Sequence, residues 1–266
     1  MKIEGSVVIV TGASSGIGLA LARRFAEDGA AVVLAARSTE KLTAIAKSLR
    51  SRGGEALAVP TDATQRDQVD RLVATACERY GRLDILVNNA GRGAAGHAAD
   101  APAAHYRALF ELNVLGPLHA MQAAIPRMRG QGSGLIVNMS SGAGRLAVPG
   151  LSAYGASKAA LDLISNTARR ELARDNIRVL TVYPPNTESE AAANMLGDPA
   201  TVGALLLQAI ASAVKLEKMM PVPADGVARA IVDAIAKEPP PADLFLDWDM
   251  YVGEPARAAA VIDGGQ

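Results

Sequence analysis

The sequence predicts an α/β protein: a doubly wound parallel sheet of about seven strands, flanked by helices on both faces. Three observations predict it. Short apolar runs rich in Val, Ile, Leu and Ala alternate with longer amphipathic stretches along the chain, which is the pattern of repeated βαβ units whose strands are buried on both faces. A glycine-rich turn stands directly between the first such run and the first helical stretch. The chain has 266 residues, half of them hydrophobic, enough for one large core, and doubly wound folds of this size are commonly undivided. A single domain spanning 1–266 is the expectation.

The first strand is read at 6–11, Ser6-Val7-Val8-Ile9-Val10-Thr11, a β-branched run fit for burial on both faces. Gly12-Ala13-Ser14-Ser15-Gly16-Ile17-Gly18 comes directly after it. Glycines at these three positions remove side chains where the backbone must turn and approach a pyrophosphate, and a helix over 16–29 aims its free N–H groups and positive dipole end at the phosphates. The spacing Gly-x-x-x-Gly-x-Gly differs from the Gly-x-Gly-x-x-Gly fingerprint. Such a turn can be purely structural; its place after a buried strand and before a helix favours nucleotide binding.

Further strands are expected near 31–36, 55–59, 83–88, 134–139, 177–182 and 242–246, with helices near 39–51, 65–80, 102–129, 152–174 and 224–237. In such a sheet, ligands sit beyond the carboxyl ends of the strands where strand order reverses. There is no internal repeat, and Glu238-Pro239-Pro240-Pro241 reads as a stiff connector.

Within the helix over 152–174, Tyr154 and Lys158 lie one turn apart in Tyr154-Gly155-Ala156-Ser157-Lys158. That spacing puts phenol and ammonium on one face. The lysine charge then favours the phenolate and lowers a phenol pKa of about 10, so that the tyrosine can act as a general acid or base. A Tyr and Lys on an ordinary amphipathic helix have the same spacing, so the pair gains meaning only from the rest of the chain.

Composition excludes several classes. Lys+Arg 27 balances Asp+Glu 27, and no basic stripe suggests a nucleic-acid surface, so no nucleic acid is expected as partner. No apolar stretch reaches the roughly 20 residues of a bilayer span, and Met1-Lys2-Ile3-Glu4-Gly5 runs straight into the first strand without room for a signal. No transmembrane anchor and a cytoplasmic location are expected. Cys77 is the single cysteine, so no intrachain disulfide can form; on the helix over 65–80 it reads as a buried structural thiol. His97, His105 and His119 are too scattered for a metal site, and no metal is expected.

The ordered set Thr11-Gly12-Ala13-Ser14-Ser15-Gly16-Ile17-Gly18, Asn88-Asn89-Ala90-Gly91, Asn113, Ser141 and Tyr154-x-x-x-Lys158 resembles the signature of the short-chain dehydrogenase/reductase family from about residue 3 to about Thr187. The resemblance implies a Rossmann fold and an NADP- or NAD-dependent oxidoreductase. It makes Ser141, thirteen residues ahead of Tyr154, the serine that hydrogen-bonds a substrate carbonyl, with Ser140 the weaker candidate. Tyr154 would protonate the carbonyl oxygen as hydride arrives from C4 of the nicotinamide. Lys158 would bond the nicotinamide ribose, and Asn113 would bend a helix and hold a water in the proton relay. Cofactor contacts are implied for Gly12, Ser14, Ser15, Gly16, Ile17 and Gly18 in the turn, for Asn89, Ala90 and Gly91 through their backbone, for Tyr154 and Lys158, and for Pro184 and Thr187 in the loop over the nicotinamide. Asp62 and Ala63 would hold the adenine, although Asp62 also suits a helix cap, a task open to Thr64.

The second strand, Ala31-Val32-Val33-Leu34-Ala35-Ala36, ends without the acidic residue that accepts hydrogen bonds from the ribose hydroxyls of NAD, and Arg37 comes next. NADP(H) is therefore the expected cofactor, its 2′-phosphate paired with Arg37 and Lys41; both residues also suit a solvated surface. Tyr183-Pro184-Pro185-Asn186-Thr187 departs from the family's Pro-Gly, and Pro185 fixes φ where glycine would be free. That segment, with Arg37 and Lys41, resembles the branch that reduces 3-ketosphinganine, whose members are commonly membrane-associated. Residues 188–222 read as a substrate lid: Ala191–Leu196, Val202–Leu207, Met219 and Met220 suit an apolar substrate, and equally suit packing on the body or on a neighbouring subunit.

The expected activity is thus NADPH-dependent reduction of a carbonyl to an alcohol, or the reverse, on a small, apolar substrate. A dinucleotide-binding redox sensor or scaffold without turnover is the second class. Relatives pair the helices around 102–129 and 152–174, which implies a homodimer or homotetramer.

Overall fold

The computed structural model describes residues 1–187, 195–197 and 221–246. Its strands are β1 (Val7–Thr11), β2 (Ala31–Ala36), β3 (Glu55–Pro60), β4 (Ile85–Asn88), β5 (Gly134–Met139), β6 (Ile177–Tyr183) and β7 (Asp243–Phe245). The helices are α1 (Gly16–Glu27), α2 (Thr39–Ser51), α3 (Arg66–Tyr80), α4 (Ala103–Phe110), α5 (Gly116–Gln131), α6 (Ser152–Leu172) and α7 (Ala224–Ala236).

The strands form one parallel sheet in the order β3-β2-β1-β4-β5-β6-β7. Alternation along each strand feeds two cores. Val8 and Val10 join Val32, Leu34, Ile85 and Val87 under α1, α2 and α7, where Leu21, Phe25, Leu42 and Ile231 are buried. Ile9 joins Val33, Leu86 and Ile136 under α3, α5 and α6, with Leu72, Met121 and Leu172. Phe25, Ile9, Leu21, Leu34 and Leu86 are fully buried, each burial contributing roughly 1.5–3 kcal/mol. A strand apolar on both faces is thus the local signature of its central place.

The single helix expected over 102–129 is divided. Between α4 and α5 the backbone makes one π-helical turn, Glu111–Leu115. One inserted residue widens the coil and re-aims α5, and Asn113 sits in that turn, wholly buried. Apolar periodicity does not register a one-residue insertion. Among the described residues, no helix is long and apolar enough to cross a membrane.

Sheet order turns at β1. The chain goes from β1 outward to β2 and β3, then returns to β4 on the other side, so the loops leaving β1 and β4 part above the sheet and open a crevice there.

Candidate active site

A cleft of about 850 Å³ opens at this point, walled by the turn after β1, the ends of β2 and β4, the start of α5 and the face of α6 carrying Tyr154 and Lys158. Two glycines set its floor. Gly12 adopts φ +67°, and a Cβ there would stand 2.8 Å from Asn89 Nδ2. A Cβ on Gly18 would collide with the Gly12 carbonyl and the Asn89 amide, so Gly18 lies buried beneath the turn rather than at the cleft wall. Ser14, Ser15, Gly16 and Ile17 line the opening. Ser15, the residue before α1, makes no side-chain cap, and the first turn of α1 has no acidic residue. The leading N–H groups and the positive end of the helix are left for an anion, which fits the pyrophosphate of a dinucleotide.

Thr11 and Asn89 lock this turn to β4. The Thr11 hydroxyl accepts from the backbone N–H of Asn89 and of Ala90, each at 3.0 Å, and donates to the Val87 carbonyl at 3.2 Å. Asn89 Nδ2 donates to the carbonyls of Thr11 and Gly12 at 2.9 and 3.3 Å. Asn89, Ala90 and Gly91 line the cleft. The locking role of Thr11 has no signal in the sequence, because its partners lie 76 to 79 positions away.

Arg37 and Lys41 stand at one end of the cleft, exposed, beyond β2 and on the first turn of α2. Ser38 caps α2, accepting from the Lys41 N–H at 3.3 Å. Asp62 and Ala63 line the same end. The Asp62 carboxylate accepts from the Thr64 N–H and hydroxyl at 3.0 and 2.8 Å, closing a local turn, and α3 starts beyond it, after Gln65. Asp62 therefore stabilises the loop before α3 while facing the cleft.

The opposite end gathers the other candidates. Tyr154 and Lys158 line the cleft together with Ser140, whereas Ser141, the serine favoured by the sequence, stands outside the lining; it faces the Tyr154 hydroxyl and accepts from the Ala143 N–H at 3.3 Å. Lys158 Nζ donates to the Met139 carbonyl at 2.7 Å and lies 5.8 Å from the centre of the tyrosine ring. Burial brings the Lys158 ammonium down to about 8, opposed by the Asp162 carboxylate. Burial pushes the Tyr154 phenol up, opposed by the Ser141 hydrogen bond. This differs from the expectation that lysine lowers the phenol's pKa: the ammonium is bonded to a backbone carbonyl, and desolvation dominates at the tyrosine.

Asn113 sits one layer behind. Its Oδ1 accepts from the Arg92 N–H at 3.1 Å, and its Nδ2 donates to the Arg92 carbonyl at 2.9 Å and to Ser157 Oγ at 3.0 Å. Ser157 in turn donates to the Tyr154 carbonyl at 2.7 Å. The π-turn asparagine thus ties the Gly91-Arg92 segment to α6.

Pro184 lines the cleft, whereas Thr187 bonds the Pro185 carbonyl at 2.9 Å and pairs with Val222 outside the lining. The lid expected over 188–222 lies outside the described residues except 195–197 and 221–222. Cys77 is half-buried, more open than expected, and burial pushes its thiol pKa up, away from the reactive thiolate. Among the described residues no group of His, Cys, Asp and Glu has the geometry to hold a metal ion.

A seven-stranded parallel sheet with its cleft at the switch point defines a Rossmann-type protein. The chain belongs to the short chain dehydrogenase family, which matches residues 6–199, a family of oxidoreductases that use nicotinamide cofactors. An uncharacterised oxidoreductase of Methylorubrum extorquens is 43% identical over 184 residues, 69% of this chain and 73% of that one. A short chain dehydrogenase/reductase of Burkholderia phymatum, in complex with NAD, superposes with a TM-score of 0.79 at 29% identity, covering 89% of this chain and 87% of that one. An alcohol dehydrogenase of Thermococcus sibiricus complexed with 5-hydroxy-NADP has a TM-score of 0.77 at 25% identity, covering 95% and 99%.

Proposed function

We propose that this protein is an NADPH-dependent oxidoreductase that reduces a carbonyl to an alcohol, or runs the reverse, with Tyr154 as the general acid and base. The observation that carries the reading is the meeting of Tyr154 and Lys158 at one end of a cleft, with Ser141 facing the tyrosine from just outside the lining, while the other end is walled by Arg37 and Lys41.

Residues for each part of the cofactor are in reach of the cleft. The N-terminus of α1 and the turn around Gly12 would take the pyrophosphate. Arg37 and Lys41 would take a 2′-phosphate, with no acidic residue at the end of β2 to favour a free ribose hydroxyl. Lys158 and the backbone of Asn89, Ala90 and Gly91 would hold the nicotinamide ribose side. When bound, the nicotinamide supplies or accepts the hydride.

The chain's own residues manage the proton and the charge. A phenol whose pKa is raised by burial stays protonated at neutral pH, as a donor to a carbonyl oxygen must. Ser141, which faces that phenol, would be a second donor at the place where oxyanion charge develops. The Lys158 ammonium, fixed by the Met139 carbonyl, supplies positive potential behind the tyrosine when the phenol gives up its proton. Asn113 keeps α6 and the Gly91-Arg92 segment in register through Ser157.

The direct test is the initial rate of NADPH oxidation, with NADH in parallel, over quinones, steroids, β-ketoacyl thioesters, aromatic ketones and 3-ketosphinganine. Turnover preferring NADPH on one class is the expected result. Binding of NADPH with no turnover on any class would favour a redox sensor instead.

A further inference from the structure

A buried carboxylate stands directly behind Tyr154 and Lys158. Asp162 is on α6, one turn beyond Lys158 and two beyond Tyr154, on the same face. Its side chain is 10% exposed, and among the described residues neither carboxylate oxygen has a hydrogen-bond partner of good geometry. A carboxylate in such a place normally accepts two or more hydrogen bonds.

Among the described residues the groups around it are few. Arg145, from the turn that comes after Ser141, places Nε 3.7 Å from Asp162 Oδ2. Yet Arg145 is committed elsewhere: its Nη2 donates to the Tyr183 hydroxyl at 2.6 Å and to Asp243 at 3.2 Å, and its guanidinium lies over the rings of Tyr183 and Phe245 at 4.7 and 5.2 Å. Arg169 holds the other oxygen of Asp243 at 2.9 Å. The Ser140 hydroxyl from the end of β5 and the Tyr183 hydroxyl from β6 also face the carboxylate. On α6 itself the neighbouring charge is Lys158, whose one hydrogen bond goes to a backbone carbonyl and whose counter-charge is Asp162. Arg–carboxylate pairs are frequently bidentate; here Arg145 approaches at 3.7 Å without a hydrogen bond, and Lys158 stands one helical turn away. Burial pushes the Asp162 carboxyl pKa up, opposed by the Ser140 and Tyr183 hydroxyls and by the two cations.

We propose that Asp162 is a positioning residue for the reaction: its charge, one helical turn from Lys158, keeps the proton on the lysine while Tyr154 exchanges its own. The inference rests on the roles proposed for Tyr154 and Lys158. It also accounts for the surroundings. Among the described residues, Arg145, Lys158 and Arg169 face two carboxylates, Asp162 and Asp243, so each carboxylate offsets repulsion among the cations. Asp162 is the one adjacent to Lys158. Burial alone disfavours the ammonium, and the carboxylate opposes that loss. Neutralising Asp162 removes this support, whereas neutralising Arg145 removes a repelling cation. The two changes must therefore move the lysine in opposite directions.

The experiment is an NMR titration of the full chain labelled with ζ-¹⁵N lysine, with and without NADP⁺, the Lys158 signal being assigned by its loss in Lys158→Met. The wild-type midpoint is expected near 8. Asp162→Asn should lower it by about one pH unit, a tenfold change in the proton equilibrium; Asp162→Glu should restore it, and Arg145→Gln should raise it. With a turned-over carbonyl in hand, the alkaline limb of the kcat profile should shift in the same directions. An unchanged midpoint in Asp162→Asn, or a shift of the same sign in Arg145→Gln, would overturn the proposal. If Asp162→Asn does not fold, the sign in Arg145→Gln and the midpoint in Asp162→Glu still decide it. The titration needs no turnover, so a chain that fails as a reductase and a chain in which Asp162 has no hold on Lys158 give different results.

Discussion

Replacing Thr11 by Val keeps the shape of the side chain and removes the hydroxyl that locks the glycine turn to β4. Two backbone donors, the N–H groups of Asn89 and Ala90, then lose an acceptor at 3.0 Å. The Asn89 N–H keeps a second acceptor, the Val87 carbonyl at 3.1 Å, so only the Ala90 N–H is left unpaired; that costs about 1–3 kcal/mol when buried, the lower part of the range for a half-buried residue at the cleft, and with the weakened bond of Asn89 the change should cost about 2 kcal/mol. At roughly 2–4 °C per kcal/mol for a chain of this size, the midpoint of melting should fall by about 4–8 °C. Thr11→Ser keeps the hydroxyl and gives up one methyl group, a loss of about 1 kcal/mol. Urea unfolding of both variants measures this, with the m-value checked for constancy. Because the same hydroxyl positions Ala90 at the cleft, NADPH affinity should fall in Thr11→Val and be nearly kept in Thr11→Ser. Equal stability of the two variants would refute the reasoning.

Charges at either end of the cleft give two more predictions. Arg37→Ala should weaken NADPH by about tenfold or more, the worth of one charge-assisted contact, while leaving NADH nearly unchanged; equal effects in calorimetric titration would remove the phosphate contact. Lys158 carries a folded-state pKa of about 8 against an ordinary value of 10.5, so between these values the unfolded chain binds more protons and this group's contribution to stability rises with pH, while below about 8 its burial as a cation opposes folding. The stability of wild type relative to Lys158→Met should therefore improve as pH goes from 8 towards 10, read by urea unfolding; a difference independent of pH over that window would contradict the burial of a charged lysine.

The central strands were legible because they are apolar on both faces, as Val7–Thr11 is, buried along its whole length. The glycine turn was legible for a steric reason now visible at Gly12 and Gly18, where a side chain would meet Asn89 or the backbone. The Tyr154–Lys158 spacing correctly placed both groups on one face of a helix. What the spacing did not contain was the third dimension: Lys158 bonds a strand carbonyl 19 residues away, and this contact, with burial, decides the electrostatics of the pair. The Thr11 lock and the Asp162–Arg145 arrangement escaped for the same reason, since each depends on partners that the fold brings together, while the π-turn at Asn113 escaped because a one-residue insertion leaves apolar periodicity unmarked. Asp162 at four residues beyond Lys158 was visible as a pattern, but nothing in the sequence set it apart from an ordinary charged helix position.

Acid–base catalysis by Tyr154 is tested most directly by comparing Tyr154→Phe with wild type in NADPH-dependent turnover of a carbonyl substrate, with the NADPH dissociation constant measured in parallel. A positioned general acid is worth about 10²–10⁴-fold. The expected result is a loss of kcat on that scale with cofactor affinity within about threefold of wild type, since a phenol that serves mainly as proton donor contributes little to binding. Retained turnover in Tyr154→Phe, or a loss explained entirely by weaker NADPH binding, would rule out the tyrosine as the proton donor.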